Sequence, residues 1–175
     1  AACASASVVT IHNLAFQGLF GRDLLPVLEL PADAWTMDGV EYHGYLSFLK
    51  AGLQYADAIT TVSPTYAQEI QTPADGMGLD GLLRYRADRL SGILNGIDTT
   101  QWDPAADPYL ATPYDAARLA EKAGNKAALR SELGLAAADM PLLGIVSRFT
   151  EQKGLDLVVD IANALAGLPA QLAVL

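Results

Sequence analysis

Leu142-Leu143-Gly144-Ile145-Val146-Ser147-Arg148-Phe149-Thr150-Glu151-Gln152-Lys153-Gly154 is the stretch that decides the fold. Its apolar run, Leu142 to Val146, reads as a buried strand. After Gly154 the apolar positions become amphipathic and predict a helix over Leu155 to Leu165. The loop between them carries two cations, Arg148 and Lys153, five positions apart. Open α/β sheets take phosphorylated ligands on such loops, at the carboxyl ends of parallel strands. The start of the following helix adds partial positive charge. A guanidinium and an ammonium on that loop suit a diphosphate. The plain alternative is a pair of solvated loop cations.

Outward from this loop, strands and helices alternate, which predicts α/β architecture with parallel sheets. Val8 to Ile11 is the first strand, followed by His12 and Asn13. Tyr45, Phe48, Leu49, Gly52, Leu53 and Ala56 recur at helical spacing and predict a helix over Gly44 to Ala56. Ala58 to Val62 is a strand. Ser63 and Pro64 then supply an N-cap and a first helical residue for a helix to about Ile70. Residues 71–81 hold Pro73 and three glycines and read as a loop with freedom to move. Leu82 to Arg89 is a short helix and Leu90 to Leu94 a strand, closed by a tight turn at Asn95-Gly96-Ile97-Asp98. Trp102, Pro104, Pro108 and Pro113 mark a composition shift suited to a domain boundary. Two helices are expected beyond it, over Tyr114 to Ala123 and Asn125 to Leu133, with Gly134 as the C-terminal cap. Pro169 is a breaker before a last strand, Gln171 to Leu175.

The chain has 175 residues, 51% of them apolar, enough to bury a sizeable core. Its formal net charge of −9 and lack of a basic stripe argue against a nucleic-acid surface. An anionic small substrate is still compatible, because a local cationic pocket decides that. The single cysteine, Cys3, cannot form an internal disulfide, which fits a reducing compartment. No apolar run approaches the ~20 residues of a membrane helix. Residues 1–7 form no convincing signal peptide, and both ends run into strands, so a fragment of a longer protein is expected.

His12 stands where a parallel sheet opens to its crevice, and could donate to a sugar hydroxyl or simply cap the next turn. His43 precedes the expected helix and has only a capping rationale. Asn95 precedes Gly96, so its amide either points into the crevice or serves a common turn dipeptide. The P-loop, the Gly-x-Gly-x-x-Gly fingerprint and the Gly-x-Ser-x-Gly elbow are absent, as are metal-ligand spacings and a hydrolase carboxylate dyad.

Five segments, in order, resemble the bacterial glycogen synthases and plant starch synthases. They are Val9-Thr10-Ile11-His12-Asn13-Leu14-Ala15-Phe16-Gln17-Gly18, Ser47 to Leu53, Thr61 to Ala67, Gly92 to Asp98, and Ser147 to Asp156. Glu121 to Lys126 looks more like the bacterial enzymes. The resemblance implies a GT-B fold, with two Rossmann-like domains facing across a cleft. Residues 1–97 would be the C-terminal part of the N-terminal, acceptor-side domain, 98–113 the linker, and 114–175 the beginning of the nucleotide-sugar domain. It further implies a retaining transfer of glucose from ADP-glucose to the non-reducing end of an α-1,4-glucan in the bacterial cytoplasm. No metal or other cofactor is expected. Arg148 and Lys153 match the family's cations for the leaving diphosphate, and His12 its histidine near the transferred glucose. Asn95 matches its asparagine on a sugar hydroxyl. Asn13, Ser147 and Gly154 complete the expected substrate-binding set, with Ser147 positioning the loop. The family's Lys-x-Gly-Gly-Leu loop would lie upstream and its Glu-Pro-x-Gly segment downstream. Two other readings stay open: a GT-B transferase using UDP-glucose, and a non-catalytic glucan-binding relative.

Overall fold

Strand β1 (Val8–Ile11) alternates outward and inward side chains and buries Ile11. The computed structural model describes residues 5–175, so residues 1–4, including Cys3, lie outside the described residues. The chain forms two compact units, one ending at Gly96 and the other running from Ile97 to Leu175.

In the first unit, β2 (Leu19–Phe20), α1 (Leu24–Val27), a 3-10 turn at Ala32–Ala34 and β3 (Glu41–Tyr42) follow β1. None of these was expected from the sequence pattern. The expected helix from Gly44 is also corrected. Tyr45–Ser47 is a strand, β4, and the helix α2 spans Phe48–Tyr55. β4 pairs antiparallel with β2 and β3, and His43 (φ 49°) and Gly44 (φ 84°) form the two-residue turn of the β3–β4 hairpin. Two consecutive left-handed residues give a hairpin the twist its strands need. His43 therefore serves a turn rather than a helix cap. Ser47 is the true N-cap, its Oγ accepting from Lys50 N at 3.1 Å. Strand pairing overrode the helical periodicity there, and a second small core of Leu25, Val40 and Leu46 packs beneath.

Strand β5 (Ala58–Thr61) lies between β1 and β6 (Leu90–Gly92) in a parallel sheet of order β1-β5-β6. Between β5 and β6 run α3 (Pro64–Glu69), capped by Ser63 as expected, and α4 (Asp80–Tyr85), which starts before the expected Leu82. The expected helix to Arg89 stops at Tyr85, because the Arg86 guanidinium turns to the end of α2 and donates to the Leu53, Gln54 and Ala56 carbonyls. Those carbonyls would otherwise lack helix partners. The core of this unit is Ile11, Leu14, Leu53, Ile59, Ile70, Leu79 and Leu83.

A polar staple joins the starts of β1 and β5. The Asp57 carboxylate accepts from Ser7 N at 2.7 Å and from Ser7 Oγ at 2.9 Å. These donors, the backbone N–H first, hold its pKa below the ordinary 3.8. A depressed carboxylate stabilises the fold above its unfolded pKa, and that contribution is lost as pH falls through the folded value. Asp57→Asn is therefore expected to be less stable than the native protein at neutral pH. The gap should close as pH drops below 3.8, read from denaturant midpoints.

In the second unit the expected helix over Tyr114 to Ala123 is absent. Asp115 instead organises a turn, accepting from Ala117 N and Arg118 N at 2.9 Å each. A 3-10 turn at Leu119–Glu121 leads directly into α5 (Lys122–Glu132), so Gly124 lies within a helix rather than between two. The reason is docking. A Cβ on Gly124 would lie 2.4 Å from Thr112 Oγ1, and the Asn125 side chain bonds both Thr112 N and Thr112 O. Gly134 (φ 65°) ends α5 as expected. Strands β7 (Leu142–Ile145) and β8 (Gln171–Val174) pair in parallel. The single helix expected between them is two, α6 (Leu155–Asp160) and α7 (Ala162–Ala166), broken at Ile161. The β-branched Val158, Val159 and Ile161 weaken helix propensity there. Among the described residues this unit buries Arg130 but no apolar side chain to the same degree. Arg130 donates to Gln171 Oε1 at 2.6 Å and to Met140 O at 2.5 Å, tying α5 to β8.

Candidate active site

The register sets Ile11, Thr61 and Gly92 level across β1, β5 and β6. His12 and Asn13 leave β1 at this carboxyl edge, and Asn95 follows three residues after Gly92 on the far side of β5. The first unit thus carries His12, Asn13 and Asn95 on one edge of one sheet. That is the edge at which parallel sheets bind ligands. His12 and Asn95 are exposed, and among the described residues neither side chain makes a hydrogen bond. Asn13 is half-buried, and its Oδ1 accepts from Ala15 N at 2.8 Å. That bond spends one face of its amide on shaping the loop.

The turn expected at Asn95-Gly96 falls elsewhere. Gly96 is not among the left-handed glycines, and Asp98 makes the turn, its Oδ1 accepting from Thr100 N, Thr100 Oγ1 and Gln101 N. The Thr100 hydroxyl, then the two amides, hold the Asp98 carboxyl below the usual carboxylate range. Asn95 is therefore released from turn duty.

The loop after β1 is held from several sides. Leu14 N donates to Tyr66 Oη of α3 at 3.3 Å. Ser47 Oγ and Leu49 N donate to Gln17 O at 2.9 and 3.1 Å, and Phe48 N donates to Gly18 O at 3.1 Å. The sequence signal for Ser47 was local, a serine ahead of an apolar helix. The roles of Tyr66 and Gln17 are set by tertiary contact and had no such signal.

A separate cleft of about 920 Å³ lies between the β3–β4 hairpin, α2 and α4, lined by Asp38, Glu41, Tyr42, His43, Lys50 and Gln54 among others. It contains none of the expected site residues. Buried Lys50 donates there to the Met37 and Glu41 carbonyls. Burial pulls its ammonium below the ordinary lysine value, against the opposing charges of Glu41 and Asp38.

In the second unit, Ser147 continues the ladder by donating from its N–H to Leu175 O at 3.1 Å. The cationic loop then turns tightly. Thr150 N donates to Arg148 O at 2.9 Å, and Lys153 N to Thr150 O at 3.0 Å. A 3-10 turn spans Glu151–Lys153, and Gly154 closes the loop at φ 68°. A Cβ there would meet only Leu157 Cδ1, at 3.5 Å, so the glycine is required by conformation rather than by space. Arg148 and Lys153 are exposed, and among the described residues neither enters an ion pair. Helix α6 has six residues, too short for a substantial dipole, so the loop's positive charge rests on the two side chains. No group of three His, Cys, Asp or Glu side chains that could hold a metal ion occurs among the described residues. No helix among them is long and apolar enough to cross a membrane.

Comparison with known proteins fixes the class. The starch synthase catalytic domain family matches residues 2–85. The catalytic domain of starch synthase IV from Arabidopsis thaliana, solved bound to ADP and acarbose, superposes with a TM-score of 0.88 at 35% identity. That match covers 96% of this chain and 35% of the other. The α/β architecture is accordingly that of a GT-B glycosyltransferase, with parts of two Rossmann-like units and parallel sheets.

The glycogen synthase of Dechloromonas aromatica is 62% identical over 172 residues, covering 98% of this chain. That of Novosphingobium aromaticivorans is 55% identical over 169 residues, covering 97%. The chain belongs to the glycogen and starch synthase family. It spans 36% and 35% of the length of these two relatives.

Proposed function

We propose that this segment serves, in a chain of its relatives' length, a retaining glucosyltransferase that extends α-1,4-glucan from ADP-glucose in the bacterial cytoplasm. The observation that carries the reading is the loop Ser147 to Gly154, with two exposed cations, Arg148 and Lys153, at the carboxyl end of a parallel strand. In the reaction the bond from glucose C1 to the diphosphate breaks, C1 bonds to the acceptor's terminal O4, and the O4 proton leaves to the departing phosphate. The departing ADP gathers negative charge on its phosphate. Fixed cations stabilise that charge more in the transition state than in the ground state. Arg148 and Lys153 supply it without a metal. His12 and Asn95, exposed at the sheet edge, hold hydroxyls of the transferred glucose, with Asn13 beside them. Ser147 anchors the loop to Leu175, the residue after β8, and Gly154 supplies its left-handed turn. The single cysteine among 175 residues agrees with a reducing compartment.

The test is a glucose-transfer assay on the full-length enzyme bearing this segment, or on a chimera placing it in the Dechloromonas aromatica glycogen synthase. The expected result is incorporation into glycogen from ADP-glucose in the presence of a chelator, far above that from UDP-glucose. A preference for UDP-glucose would make it a different GT-B transferase. Glucan binding without turnover from either donor would make it a non-catalytic relative.

A further inference from the structure

Met77 has φ 48°, a left-handed conformation uncommon for a residue other than glycine. Such strain persists only where the surroundings over-determine it. Here its carbonyl accepts two hydrogen bonds from two distant segments. Gln17 Nε2 donates at 3.1 Å and Tyr42 Oη at 2.8 Å. Gly78 follows at φ 80°, and a Cβ on it would lie 2.3 Å from Tyr42 Oη, so only glycine lets the hydroxyl reach. Gln17 is fixed at its other end too, its own carbonyl bound by Ser47 Oγ and Leu49 N. The segment between α3 and α4, which by composition alone would be free to move, is thereby latched to the loop that begins with His12 and Asn13.

We propose that Gln17 and Tyr42 are positioning residues for the sugar-binding loop, acting through the shared Met77 carbonyl. The proposal rests on the roles given above to His12 and Asn13. Both bonds are exposed; the Tyr42 ring packs against the core of Ile11, Leu14, Leu53 and Ile59, and Tyr42→Phe keeps that ring while removing only the hydroxyl. Their loss should therefore shift the loop more than it lowers global stability. With one donor removed the carbonyl retains the other, and with both removed it has none, so the two effects are coupled.

The test uses Gln17→Met, Tyr42→Phe, the double variant and His12→Ala in the full-length enzyme. Each single latch variant is expected to lower kcat by about threefold to tenfold, by analogy with other misplaced catalytic groups. The KM for donor and the melting temperature should stay nearly unchanged. The double variant should lose more than the product of the singles. Amide exchange should quicken in residues 12–18 as well as 72–79. Unchanged kcat in the latch variants, with His12→Ala inactive, would overturn the latch and leave the proposed function standing. The same holds for a kcat loss that tracks a fall in melting temperature, or for faster exchange confined to 72–79. An active His12→Ala would remove the role assigned to His12, and the latch with it.

Discussion

Arg148→Ala and Lys153→Ala, each made in the full-length enzyme, are expected to lower kcat by about 30- to 1,000-fold, or roughly 2–4 kcal/mol of barrier. The loss should fall on turnover more than on the KM for donor, because charge on the leaving diphosphate develops during bond breaking. Arg148→Lys keeps the charge but not the planar fork, so it should recover only part of the rate. Both side chains are exposed and lie outside any ion pair among the described residues, so no described carboxylate loses a partner on their removal. The melting temperature should accordingly stay close to native. Steady-state kinetics with saturating glycogen and varied ADP-glucose would check this. A rise in KM with kcat intact would mean that the pair binds donor and transition state alike.

Gly92→Ala carries the largest expected structural cost. In an open strand the change would help, since alanine loses less backbone freedom on folding. At Gly92 the added Cβ would stand 2.2 Å from Ser63 O and 2.4 Å from Pro64 N and Cα. All three are backbone atoms at the capped start of α3, so no side chain can swing away. Relief requires β6 to part from α3, at a cost of about 3 kcal/mol or more. Asn95 lies three residues on and would shift with the strand. The measurable result is a lowered denaturation midpoint together with lost transfer activity. Gly96→Ala serves as a control, because a Cβ there meets nothing within 4 Å.

Much of the framework of the candidate site was legible in the sequence because its signals are local. The apolar run before Ser147, the cations on the following loop, the Ser63-Pro64 helix start and the Gly134 cap each need only a few neighbouring residues. The parallel strands Val8–Ile11 and Ala58–Thr61 stood out for the same reason. Order along the chain then placed His12, Asn13 and Asn95 at strand ends.

Tertiary structure decided what depends on partners far away in sequence. Tyr45–Ser47 has helical spacing but becomes a strand because β2 and β3 bond to it on both sides. Gly124 looks like a helix break, yet it sits inside a helix because Thr112 packs where its Cβ would be. Asn95-Gly96 has the composition of a turn, but Asp98 captures that role with its carboxylate. By itself the sequence determined the strand-loop-helix units and the two cations of the Ser147 to Gly154 loop, since backbone propensity, capping and charge act over a few residues. Only the tertiary structure decided which residues hold the His12 loop in place. The carbonyls of Gln17 and Met77 find their donors through contacts up to 60 residues apart, which no local pattern encodes.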